Sequence, residues 1–175
     1  LVTFNVAYNA PSNRSEKIDG FELALQHDFS DYNPLPIDLT GFGFIANATF
    51  VNSDADYDNT SPNSENDGQF AILGISDSAN FIAYYERYGF STRLAYNWRE
   101  SHLVYMGASS AYMPSYEQVD VNVSYEIPGT NLSLSYDGIN LNEEGREVYE
   151  RNNPSYKTWV SQGDAKHIVG VRWKY

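Results

Sequence analysis

The chain has 175 residues, about one domain's length, with 23 acidic against 11 basic residues and a formal net charge of −12. That balance excludes a nucleic-acid binder and a polybasic membrane-surface anchor, both of which need clustered Lys and Arg. Cysteine is absent, which excludes disulfides, thiolate metal sites and a cysteine nucleophile.

Period-two alternation runs through almost the whole chain, and helical periodicity is nearly absent. In Leu1–Asn9, Val2, Phe4, Val6 and Tyr8 oppose Thr3, Asn5, Ala7 and Asn9. In Ile18–Phe29, Phe21, Leu23 and Leu25 oppose Glu22, Ala24 and Gln26. In Thr40–Asn52, Phe42, Phe44, Ala46, Ala48 and Phe50 oppose Gly43, Asn47 and Thr49. Ala79, Phe81, Ala83 and Tyr85 form the apolar set of Ser78–Glu86. In Phe90–Glu100, Phe90, Leu94, Tyr96 and Trp98 oppose Ser91, Arg93, Asn97 and Arg99. Val119–Ile127 is the clearest run, with odd positions apolar and even positions Asp, Asn, Ser and Glu. Leu132, Leu134 and Tyr136 oppose Ser133, Ser135 and Asp137, and Val169, Val171, Trp173 and Tyr175 oppose Gly170, Arg172 and Lys174. In a strand such sets lie on opposite faces, so eight strands are expected. Ile139 and Leu141 take the other parity from Leu132, which predicts a β-bulge or a strand exit at Asp137-Gly138.

The connections sort by length. Residues 31–37, 87–89 and 128–130 are short, whereas 10–17, 53–76, 101–116 and 143–165 are mostly much longer and polar. A transmembrane β-barrel has this arrangement, with tight turns at one rim and long loops at the other. Mean hydropathy is −0.50 and no apolar run nears the ~20 residues of a spanning helix, so a helical membrane protein is excluded. No basic-then-apolar leader opens the chain, and no signal peptide is expected within it. The chain has 15 Tyr, 9 Phe and 3 Trp; Phe29, Phe42, Tyr85, Tyr88, Phe90, Tyr125, Trp173 and Tyr175 fall near the short turns or the C-terminal end, and Tyr8, Phe50, Trp98, Tyr112 and Tyr116 near the long loops, as two interfacial aromatic belts would. The odd residues of 119–127 and 169–175 are expected to face lipid, and Asp120, Asn122, Ser124, Arg172 and Lys174 the lumen. The fold class is all-β: an antiparallel transmembrane barrel.

The last strand, Ile168-Val169-Gly170-Val171-Arg172-Trp173-Lys174-Tyr175, resembles the C-terminal targeting strand of bacterial outer-membrane proteins, matching at Gly170, Trp173 and Tyr175. Ile168 departs from that pattern, which usually has a polar residue there. Gly20-Phe21-Glu22-Leu23, the run Gly41 to Phe50, Asn80 to Glu86, Gly89 to Arg99 and Leu132 to Glu144 are similar to the late barrel strands of TonB-dependent outer-membrane receptors. The likeness is greatest to the proteobacterial branch that imports carbohydrates or other large nutrients. The resemblance implies a 22-stranded barrel of which residues 1–175 are the C-terminal eight strands. It implies a plug domain and a TonB box outside this chain, and an active-transport receptor for a carbohydrate or metal chelate energised through TonB. It places the protein in the bacterial outer membrane, with long loops extracellular and the C-terminus periplasmic. Expected partners are the rest of the barrel and plug, TonB, outer-membrane lipid and lipopolysaccharide, and the barrel assembly machinery; nucleic acid is not among them.

Two further readings stay open. A complete eight-stranded outer-membrane barrel, acting as a structural or adhesion module, suits the length. A secreted carbohydrate-binding sandwich is the third. The inferred inner face includes Ala7, Gly20, Ala24, Gly41, Gly43, Ser91, Ala95, Ser133, Ser135 and Gly170, which would leave a narrow closed barrel underfilled.

Site chemistry is sparse. Asp54, Asp56, Asp58 and Glu65 have the spacing of carboxylates that wrap one Ca²⁺, although Asn59 and Pro62 depart from that loop pattern; a solvated acidic loop is the plainer reading. No other cofactor is expected. Tyr112, Tyr116, Tyr149, Asn152, Asn153, Tyr156 and Trp159, with Tyr105, put aromatic faces beside amides in two outer loops, which suits a sugar-like ligand or the mutual packing of the loops. His27, His102 and His167 show no metal-ligand spacing, and Ser101-His102 are adjacent and point apart in an extended chain, so no catalytic residue is expected. The Asn-x-Ser/Thr sequons at Asn13, Asn47, Asn59, Asn122 and Asn131 follow from alternating small polar residues.

Overall fold

A computed structural model of the chain describes residues 17–53, 73–105, 110–150 and 153–175. The described residues contain eleven strands and no helix: β1 (Ile18–Asp28), β2 (Phe42–Ser53), β3 (Ser78–Arg87), β4 (Phe90–Arg99), β5 (His102–Tyr105), β6 (Ala111–Met113), β7 (Tyr116–Glu126), β8 (Leu132–Ile139), β9 (Arg146–Glu150), β10 (Lys157–Ser161) and β11 (Lys166–Trp173). Seven make one sheet, β1-β2-β3-β4-β7-β8-β11, and four short ones make a second, β10-β9-β6-β5. Seven of the eight expected strands are thus the seven of the large sheet. The strand expected at Leu1–Asn9 lies outside the described residues.

Every neighbouring pair in the large sheet is antiparallel and its register is unbroken. One row crosses it as Asp28, Gly43, Tyr84, Arg93, Asn122, Asp137 and Ile168. The row one step along the strands is His27, Phe44, Ala83, Leu94, Val121, Gly138 and His167. Successive rows alternate face, so one face collects the polar set and the other the apolar set. The strand lengths of 8 to 12 residues bracket the ~9–11 that a tilted strand needs to span a bilayer.

The apolar face is bare. Phe21, Leu23 and Leu25 are 58–60% exposed, and Val169 and Val171 are 77% and 68% exposed. Ile82, Leu103 and Tyr149 are the buried apolar side chains among the described residues. A sandwich would cover one face of each sheet with the other, and among the described residues nothing covers this one. A contiguous apolar surface of this extent marks a buried interface, and a bilayer against a spanning wall is one such interface. The sandwich reading falls on that observation. The sheet is open, with β1 bonded to β2 and β11 to β8 among the described strands.

The aromatic rings band as expected. Phe42 and Tyr85 lie 4.5 Å apart and Tyr85 and Phe90 6.1 Å apart near the short turns, while Phe21 and Phe50 stack at 4.8 Å toward the long connections. Phe42 and Phe50 are eight residues apart on β2, roughly 26 Å along a strand, close to the ~25 Å apolar band of such walls.

At the short-turn rim, Tyr88 and Gly89 close the β3–β4 hairpin with φ of +55° and +75°, the pair of positive angles a two-residue turn of this hand requires. The β1–β2 connection is pinned to that hairpin by Asp38, which accepts from the Thr40 amide at 2.9 Å and pairs with Arg87 at 3.0 Å. β11 ends at this same rim, where Lys174 N–H donates to the Asn131 carbonyl at 2.9 Å.

Two expectations are corrected. The connections 101–116 and 143–165 are not irregular loops: they hold β5, β6, β9 and β10, whose short runs lack clean alternation. The expected bulge is displaced from Asp137-Gly138, where pairing is regular on both sides. The chain instead gains its extra residue at Asn140, whose φ is +56°. Beyond it Leu141 N–H donates to the Val119 carbonyl, one residue out of the β7–β8 register. Leu141 thereby folds over Gly138 on the apolar face. Asn140 serves because Asn tolerates the left-handed region.

A lysine at Leu94, which is 45% exposed, is expected to cost about 2–4 kcal/mol of folding free energy in a bilayer, against little for a lysine at Asn122 one row away. Refolding into lipid vesicles, titrated with denaturant, reads the difference. Thr40's hydrogen bonds, and secondarily Arg87, lower the Asp38 carboxyl from 3.8 to about 2. A depressed carboxylate stabilises the fold above its unfolded value and loses that contribution as pH falls through the folded one. Amide exchange at Thr40 and Gly41 should therefore accelerate, beyond the intrinsic trend, as pH falls from 4 toward about 2, and Asp38→Asn should abolish that dependence.

Candidate functional site

The second sheet stands beyond the long-connection rim. β4 continues past Arg99 into β5, turns to β6 and re-enters the wall as β7; β8 leaves at Asn140, forms β9 and β10 and re-enters as β11. β6 and β9 pair through Ala111 with Glu150 and Tyr112 with Tyr149, which fuses the two excursions into one platform. Its base is tied to the β2–β3 connection. Gly74 N–H donates to the Leu103 carbonyl at 2.9 Å, and Arg99 donates from Nε to Ser76 Oγ at 2.8 Å and from Nη2 to the Gly74 carbonyl at 2.5 Å.

The platform sorts the candidate rings. Tyr112 and Tyr149 stack at 5.9 Å with planes 17° apart, and Tyr149 is 5% exposed, so this pair packs the sheet. Tyr116 stands at the top of β7 with the Arg146 guanidinium 5.0 Å over its ring. Asn153 closes the β9–β10 turn, its Oδ1 accepting from Ser155 N–H at 3.1 Å and its own N–H donating to the Glu150 carbonyl at 2.9 Å. Tyr156 and Trp159 are 60% and 50% exposed. The β9–β10 register slips between Lys157 and Trp159, which puts Trp159 opposite Val148. Without that bulge Trp159 would lie opposite Glu147, on the face of the buried Tyr149; bulges re-aim side chains in this way. Asn152 and the carboxylates Asp54, Asp56, Asp58 and Glu65 lie outside the described residues. Among the described residues no three His, Cys, Asp or Glu converge as metal ligands.

Below the platform the polar face carries a bonded ladder that reading single residues for site chemistry missed, because its members are ordinary wall residues until the register aligns them. On β7, Tyr116 Oη donates to Gln118 Oε1 at 2.7 Å, and Gln118 Nε2 donates to both Asp120 oxygens at 2.8 and 2.9 Å. Asn140 N–H also donates to Asp120, at 2.8 Å. Asn122 Nδ2 donates to Asp137 Oδ1, and Asn80 Nδ2 to Asn97 Oδ1. Tyr116, Gln118, Asp120 and Asn122 are the even β7 residues, the inward set of the alternation, and each side-chain bond joins neighbours on one face. Gly170 lies opposite Ser135, whose hydroxyl occupies the space a β-carbon at 170 would need. Trp173 and Tyr175 are exposed at the short-turn end of the apolar face.

An antiparallel wall with one bare apolar face, one hydrogen-bonded polar face, two aromatic bands and connections sorted by rim defines a transmembrane β-barrel protein. The family model for the TonB dependent receptor-like β-barrel matches residues 2–141, and the chain belongs to that family. It is therefore a receptor of the bacterial outer membrane, from a family of transporters rather than enzymes, and such barrels work with a plug and with TonB. Comparison with curated proteins and with solved structures found no match.

His102, at the base of the platform, is 9% exposed, and its burial lowers the imidazole below its ordinary 6.5; the Glu100 carbonyl 3.1 Å from Nδ1 opposes that shift. A base with a depressed folded value stabilises the fold fully above its unfolded value and loses that contribution as pH falls below it. The β5–β6 amides should therefore exchange faster, after correction for intrinsic rates, as pH drops from 7.5 to 5.5, and His102→Gln should remove that dependence.

Proposed function

We propose that this chain is the C-terminal wall of a larger receptor barrel that imports a nutrient, a carbohydrate or a metal chelate, of the kind handled by the proteobacterial branch, with energy delivered through TonB. The single observation that carries the reading is the open wall itself, apolar and bare outside, polar and internally bonded inside. Its small inward side chains, Ala24, Gly43, Ser91, Ala95, Ser135 and Gly170, support a wide lumen over a closed eight-stranded barrel, which side chains must fill. In this reading the plug and TonB box belong to other parts of the receptor. The long-connection rim is extracellular and the C-terminus periplasmic, with Gly170, Trp173 and Tyr175 read by the assembly machinery. The outer platform captures the ligand through the exposed rings of Tyr156 and Trp159, and lipopolysaccharide surrounds its base.

Uptake by cells carrying the full-length receptor tests this. Removing TonB, or collapsing the proton gradient, should reduce uptake to background, and Tyr156→Ala with Trp159→Ala should lower ligand capture several-fold. Uptake that persists without TonB would show passive diffusion and overturn the reading.

A further inference from the structure

The three connections at the short-turn rim differ. Tyr88 and Gly89 close β3–β4 tightly and residues 127–131 join β7 to β8, but β1 and β2 are joined by residues 29–41. The start of this connection folds back onto the apolar face. His27 shares the parity of Phe21, Leu23 and Leu25 on β1 and lies in the row of Phe44 and Leu94. Phe29 meets its ring edge-on at 4.6 Å, Tyr32 lies 6.3 Å from it and Phe44 6.0 Å. We propose that residues 29–37, with His27, form a membrane-interfacial lip that holds the headgroup of a zwitterionic phospholipid in the leaflet opposite the platform. The proposal adds a lipid site outside the barrel and needs only the bilayer, not the transported nutrient.

The apolar surface of the wall continues into the connection, where Tyr32, Leu35 and Ile37 are 67%, 51% and 59% exposed. Residues 34–36 leave no N–H for water: Pro34 and Pro36 have none, and Leu35 N–H donates to Asn33 Oδ1 at 3.0 Å. Asn33 Nδ2 in turn donates to the Ile37 carbonyl at 2.5 Å. A turn held in water gains little from such economy, whereas one lying against hydrocarbon requires it. Polar groups of the lip nonetheless stand open. The His27 ring nitrogens and the Tyr32 hydroxyl have no hydrogen-bond partner among the described residues. An imidazole carries at least one N–H in either charge state, so both side chains can donate to phosphodiester oxygens. The charge selects the headgroup. Residues 29–41 hold Asp31 and Asp38 and no Lys or Arg; Asp38 pairs with Arg87, and Asp31 is exposed and in no ion pair among the described residues. A net anionic headgroup is disfavoured there, and an ammonium beside a phosphate, as in phosphatidylethanolamine, meets both kinds of group. A docked protein fits less well. His27 is six residues from Phe21, roughly 20 Å along a strand, which sets it at the margin of the ~25 Å apolar band rather than in water.

Two measurements on the full-length receptor test this. For depth, Leu35→Cys and, as the comparison at the same rim, Asn131→Cys are spin-labelled, any other cysteines being replaced by serine, and the receptor is reconstituted in phosphatidylcholine–phosphatidylethanolamine vesicles. The label at Leu35 should collide more with oxygen than with a water-soluble nickel chelate, and the label at Asn131 the reverse. For headgroup choice, the receptor in detergent is given equal amounts of phosphatidylethanolamine and phosphatidylglycerol, and the most tightly held lipid is read by native mass spectrometry. Phosphatidylethanolamine should predominate. His27→Leu should lower its retention about tenfold, the effect of one hydrogen bond to a charged group, and His27→Gln, which keeps an N–H donor, should restore most of it. Heat-modifiable gel mobility checks that the variants are folded, and the labelled Leu35 site, on an exposed side chain, does not depend on the His27 variants folding. A Leu35 label as open to nickel as the one at Asn131 overturns the lip and leaves a water-facing turn or a protein contact in its place. Equal retention of the two lipids, or retention unchanged in folded His27→Leu, overturns the headgroup site.

Discussion

Inside a bilayer no water is available to a peptide N–H or carbonyl, and each one left unpaired costs several kcal/mol. That constraint governs this chain. It forces long antiparallel strands in continuous ladders, and it makes the register between them costly to change. A slip of one residue would exchange the faces and put Asp120, Asn122 and Asp137 into hydrocarbon. The large sheet accordingly runs from β1 to β11 without a shift. The irregularities, at Asn140, between Lys157 and Trp159, and between Leu103 and Tyr105, lie beyond the wall, where water can satisfy what the ladder leaves.

Register also determines what the inner face can do. Because polar side chains meet in rows, an amide on one strand finds an amide or carboxylate on the next, and the polar face becomes a bonded surface. Small residues let these groups approach. The Tyr84 ring lies over Gly43, which brings its hydroxyl 3.2 Å from Asp28 Oδ2 across β2. The same small residues keep the lumen side shallow, leaving room for a plug or a passing ligand. The cost of a wall facing two environments is that it has almost no core of its own. Its stability comes from ladder bonds and from lipid on the apolar face.

The platform of the second sheet obeys different rules. It is short-stranded, bulged and built from two excursions that meet only through β6 and β9. Its packing lies in Leu103, Tyr149 and the Tyr112 stack, and its exposed rings lie on the edge strand β10 and the turn before it.

The alternation of Val119–Ile127, Phe90–Glu100 and Thr40–Asn52 was legible without coordinates, because a strand's two faces have a period of two and lipid and lumen impose opposite chemistry on them. Sorted connections and paired aromatic bands followed, and with them the barrel wall. What residues 101–116 and 143–165 do was not legible, since strands of three to five residues carry too few alternations to register as a pattern. Nor was the fate of the candidate rings: Tyr149 is buried and Trp159 exposed for reasons that lie in cross-strand pairing and one bulge. The sequence by itself determined the wall, its faces and its rims, because those depend on local periodicity. Only the tertiary structure decided which polar residues share a row, where the extra residue at Asn140 falls and which rings reach solvent, because each depends on the register between strands far apart in the chain.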